Sequence, residues 1–173
     1  MRHVLSPRCR TVPGRASEMV VAALAGDPAS WLPPPARWHG DGSFLVDLRA
    51  GPLRHTVRCR VGSSWRVGAQ LWRALSWVPF ADEDEALTVE RLLPTIRGSI
   101  GVRPSAGAAE LTLQGSYEAP LHLLGSRADA LVLHHLAEAN VNAFLAAVQE
   151  RVSGSSTTED TAVGGSRKTG EPA

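Results

Sequence analysis

The sequence predicts an α+β fold in which one edge strand and two short helices precede five or six consecutive strands and a single long C-terminal helix. Three observations predict it. Apolar and polar side chains alternate with period two from about residue 43 to residue 117. Beyond Pro120 the apolar spacing becomes helical and holds for about 25 residues. Gly26-Asp27-Pro28 and the Pro33–Pro35 block close the helical segment that comes before the strands.

In chain order, "RHVLSPRCRTV" is rich in strand formers but holds Pro7, which confines it to a sheet edge. A helix is expected from about Ser17 to Gly26, followed by a short second turn at "PASW". In "SFLVDLRA", Phe44, Val46 and Leu48 share one face. In "RHTVRCRV", Val57, Cys59 and Val61 point inward and Arg54, Thr56, Arg58 and Arg60 outward. "WRVGAQLWRALSWVP" is expected as one longer, bent strand with Gly68 at a bulge. The acidic run "ADEDEA" (81–86) reads as a solvated connection. Ile96, Ile100 and Val102 are in phase in the next strand, and Leu111, Leu113 and Tyr117 in the last. The closing helix carries Leu131, His134, Ala137, Val141, Leu145, Val148 and Val152 at helical spacing, with Ser126 as N-cap and Asp129 in its first turn. One domain, 1–152, is therefore expected. The polar stretch 153–173 cannot offset the entropy of ordering and is expected to be a disordered tail.

Composition narrows the function classes. With 43% apolar and 20% charged residues the chain has the makeup of a globular protein. A formal net charge of +1 argues against a dedicated nucleic-acid binder, which needs a concentrated basic surface. The apolar run "MVVAALAG" (19–26) is too short to span a bilayer, so no transmembrane segment is expected. Two cysteines, Cys9 and Cys59, are too few for a disulfide framework and are expected as buried thiols in a reducing cytoplasm. No cofactor is implied, and oligomeric state is not legible.

The order of elements is the helix-grip layout, a curved antiparallel sheet of six to seven strands wrapped around a long C-terminal helix. The closing third, "LTLQGSYEAPLHLLGSRADALVLHHLAEANVNAFLAAVQERV", resembles the ending of bacterial START-like (SRPBCC superfamily) proteins of the polyketide cyclase/dehydrase and lipid-transport type. The likeness lies in a strand L-x-L-x-G-x-Y, then x-P-L-x-x-x-G, an Asp, and a helix h-H-x-h-A-x-x-x-h-x-x-F-L. It covers roughly residues 40–152, and "APLHLLG" departs from the usual loop. The resemblance implies an apolar cavity between sheet and helix and a hydrophobic small-molecule partner. It does not fix a function, because the superfamily includes carriers, cyclases and co-chaperone-like modules.

Against that background the candidate ligand-binding residues are Trp72, Arg73, Trp77, Ile100, Leu113, Tyr117, Leu131 and His134. Trp72 and Trp77 would supply flat apolar walls. Arg73 falls in the apolar phase of its strand, so it must be paired, turned outward or met by an anionic head group. Tyr117, near His122 in the following loop, and His134 would orient a polar end. If the protein is an enzyme, Tyr117 and His134 are its acid–base pair. His134, His135 and Glu138 in "VLHHLAEAN" do not form the H-E-x-x-H metal pattern, and no nucleophile elbow occurs. The favoured reading is a binding or carrier domain with no chemistry of its own. A polyketide cyclase or aromatase is the second reading and a protein-interaction module the third.

Overall fold

The computed structural model describes residues 2–13, 17–50, 53–80, 93–118 and 127–154. The acidic connection 81–86, His122, the Ser126 cap with the Asp129 side chain, and the tail from 155 on lie outside the described residues. The elements are β1 (Arg2–Pro13), α1 (Ser17–Ala25), a 3₁₀ turn (Pro28–Ser30), β2 (Arg37–Trp38), β3 (Ser43–Ala50), β4 (Leu53–Val67), β5 (Gln70–Pro79), β6 (Thr95–Ser105), β7 (Ala108–Glu118) and α2 (Arg127–Gly154). All seven strands form one antiparallel sheet in the order β1-β7-β6-β5-β4-β3-β2. This is the helix-grip fold, with both helices on the concave face.

Local sequence explains the irregularities that shape the sheet. β1 sits at the edge, and its register shifts between Leu5 and Arg8, where Pro7 has no N–H to give to a ladder. A second shift, between Val61 and Ser64, places a bulge at Gly62-Ser63 in β4. The segment expected as one bent strand is instead a hairpin. Gly68, at φ +58°, opens the two-residue turn between β4 and β5, a position a side chain disfavours. Gly98 and Gly115 form a cross-strand pair with no room for side chains. A Cβ at Gly98 would come within 2.1 Å of the Gln114 carbonyl oxygen, and one at Gly115 within 2.3 Å of that of Arg97.

A core of buried side chains lines the space between sheet and helices. α2 turns Leu133, Ala137, Val141, Phe144, Leu145, Val148 and Val152 toward β1, β3 and β7. Trp77 stacks on Phe144 with ring centroids 4.8 Å apart and planes at 16°. α1 covers β5 and β6 with Val20 and Leu24, and Trp31 is buried behind it. Part of α2, Leu131–Gly154, is long and apolar enough to cross a membrane by length and composition, and here its apolar stripe lies on the sheet. The two cysteines are both free but differ from expectation. Cys59 is buried in β4, whereas Cys9 is exposed because its side chain faces away from α2.

Candidate functional site

Strand register builds the site. One inward-facing row crosses six strands as Phe44, Cys59, Trp77, Ile96, Tyr117 and His3. It is apolar through most of its length and becomes polar where β7 meets β1. There His3 stacks on Tyr117 at 5.0 Å between ring centroids, and His134 from α2 lies 5.9 Å from the Tyr117 ring. Glu138, one helical turn beyond His134, places Oε1 3.6 Å from His134 Nε2. The same oxygen accepts a hydrogen bond from Arg8 of β1. The β1 bulge makes this pairing possible: the register shift brings Arg8 to the helix side opposite Leu113, with Arg10 next to it reaching Gln149.

The electrostatics give the members different roles. Tyr117 is buried at 2% exposure. Burial, and then the charge on Glu138, push its hydroxyl above the usual phenol range. It therefore stays protonated at neutral pH and can donate to a ligand oxygen. His134 keeps about a third of its side chain open to solvent, with Glu138 beside it. Glu138, held by Arg8, is placed to orient an imidazole N–H of His134. Tyr117 and His134 can thus bind a polar end group or exchange a proton with it. Among the described residues no group of three or more His, Cys, Asp or Glu side chains is arranged to hold a metal ion.

The structure places the other candidates as follows. Trp77, Ile100 and Leu113 face the concave side and are buried. Trp72 does not. It lies on the opposite face of β5 from Leu71, Leu75 and Trp77, and its ring covers Gly101, where a Cβ would come within 2.6 Å. Leu131 is 58% exposed, because it lies two positions before the buried Leu133, a rotation of about 200° on a helix. Arg73 does keep the inward phase, yet its donors serve the protein. It donates from Nη1 to the carbonyls of Leu24 (2.9 Å) and Gly26 (2.6 Å), and from Nε to that of Gly62 in the β4 bulge (3.2 Å). Arg73 therefore closes the C-terminal end of α1 through Nη1 and ties it to the β4 bulge through Nε. Sequence reasoning missed His3, Arg8 and Phe144. The F-L pair of the helix motif pointed to Phe144, whereas nothing local pointed to Arg8.

Sheet, long helix and polar cluster together define a helix-grip domain with a Tyr–His pair at one end of its apolar face. No protein-family model matches the chain, and no curated protein matches it. The chain is similar to several solved structures. Zhui aromatase/cyclase from Streptomyces sp. R1128 is 16% identical, with 90% of this chain and 93% of that one covered at a TM-score of 0.49. A START superfamily protein from Mycobacterium smegmatis is 13% identical, with 88% and 99% covered at 0.49. Truncated norcoclaurine synthase from Thalictrum flavum is 10% identical, with 88% and 94% covered at 0.49. At these identities the likeness is one of architecture alone.

Proposed function

We propose that the chain binds or carries a hydrophobic small molecule, lipid- or polyketide-like, between the concave face of the sheet and α2, and that Tyr117 and His134 hold its polar end. The carrying observation is the inward row that runs from apolar Phe44, Cys59, Trp77 and Ile96 to polar Tyr117 and His3. Apolar burial supplies the driving force and a buried, protonated phenol supplies orientation. Both cysteines being free accords with work in the cytoplasm. Native mass spectrometry of the purified chain, with quenching of tryptophan emission by acyl and polycyclic ligands, tests this. A releasable small-molecule adduct and saturable quenching are expected; neither appearing with any ligand tried would overturn the proposal.

One observation favours a second reading. The arrangement Tyr117, His134, Glu138 and Arg8 is that of an acid–base pair with an orienting carboxylate. As an enzyme the chain would cyclise or dehydrate a polyketide-like substrate. His134→Ala or Tyr117→Phe would then abolish turnover while binding survived, whereas in a pure carrier both changes would alter affinity alone.

A further inference from the structure

The outer face of the sheet carries a second feature, independent of the concave side. Val57, Cys59 and Ile96 point inward, so Arg58 and Arg60 of β4 and Arg97 of β6 point outward. In the cross-strand ladder Arg60 faces Ser76, and Ser76 faces Arg97. Arg58 lies two residues along β4, opposite Val78. With strands about 4.8 Å apart and about 3.4 Å per residue, the three arginines stand roughly 7 to 12 Å from one another at their Cα atoms. They surround a groove of about 210 Å³ that Ser76, Val78 and Thr95 also line. Of the three arginines only Arg60 donates to Asp41, which also accepts from the Ser43 hydroxyl, and Arg58 and Arg97 make no ion pair among the described residues.

We propose that this groove is a binding site for a phosphate-type oxyanion, either free or as the phosphate group of a soluble small molecule. Three like charges held this close repel, and a dianion seated between them removes that repulsion. Guanidinium forks match the oxygen geometry of phosphate and bind it bidentately, and the Ser76 and Thr95 hydroxyls can donate to remaining oxygens. The size of the groove suits one or two phosphate groups rather than a polymer. Trp77 also borders the groove, but its ring lies on the other side of the sheet against Phe144 and is not offered there for base stacking.

Pyrophosphate titrated into the full chain at constant ionic strength, followed by the arginine Nε–H resonances, tests the site. Saturable shifts are expected at Arg58 and Arg97. Arg58→Gln and Arg97→Gln should each weaken binding about ten-fold, and the double variant should abolish it, with unfolding midpoints checked for each. Asp41→Asn, which frees Arg60, should tighten it. No saturable shift, shifts equalled by chloride, or unchanged affinity in the double variant would overturn the proposal. Phosphatidylserine-containing vesicles separate the sources: the chain should stay in the supernatant. Sedimentation with vesicles in the absence of pyrophosphate saturation would assign the arginines to a lipid surface and reject the site.

Discussion

Arg73 shows how one residue's environment overrides its sequence reading. Alternation places it on the apolar side of β5, where a bare charge is prohibitive, and its three carbonyl partners resolve the conflict. Those partners come from α1 and from a bulge in β4, which is why neither was legible around residue 73. Arg73→Met should destabilise the fold by about 1–3 kcal/mol in denaturant unfolding, since it strands the last carbonyls of α1. Unaltered stability would remove the capping role. Cys59 gives a pH prediction. Burial pushes its thiol up to about 12 from an ordinary value of 9.0. The raised folded value means its contribution is complete below pH 9.0 and is lost as pH rises toward about 12. In that window stability should fall by up to about 1.4 kcal/mol per pH unit from this group. Cys59→Val should flatten the slope of stability against pH above 9, and an identical slope in both proteins would refute it.

Elements were legible wherever a period was clean. The strands at 43–50, 54–61 and 108–118, the break after α1 and the long closing helix follow from alternation, Gly-Pro punctuation and helical spacing. Phase was harder to read. Leu131, Val132, Leu133 and Leu136 are all apolar at the start of α2, so hydropathy there does not select a face; contact with the sheet selects Leu133. The β1 bulge likewise decides that Arg8 meets Glu138, a pairing 130 residues apart in sequence. The two sides of β5 separate Trp77 from Trp72, and composition alone values both equally. That outer-side packing is testable at Gly101. Gly101→Ala should cost about 1–3 kcal/mol by driving a methyl into the Trp72 ring, and Trp72→Leu should relieve part of the loss. Additive effects of the two changes would contradict the packing described.

At the scale of the whole molecule, sheet curvature and helix placement put an apolar row and a polar end on one surface. Phe144 joins them, since its ring lies on Trp77 two strands away from Tyr117. Phe144→Ala should cost about 3–5 kcal/mol and enlarge the space next to that row. A variant that still folds should therefore take up bulkier ligands than the parent. The central claim is that a hydrophobic ligand enters between sheet and α2 with its polar end at Tyr117 and His134. Its most direct test is a heteronuclear NMR titration with 2-naphthol, watching the ring signals of Tyr117, His134, Trp72 and Trp77. Saturable shifts at Tyr117, His134 and Trp77, with Trp72 unmoved, are the predicted result. Shifts confined to Trp72 and the outer face, or no saturable shift, would contradict it.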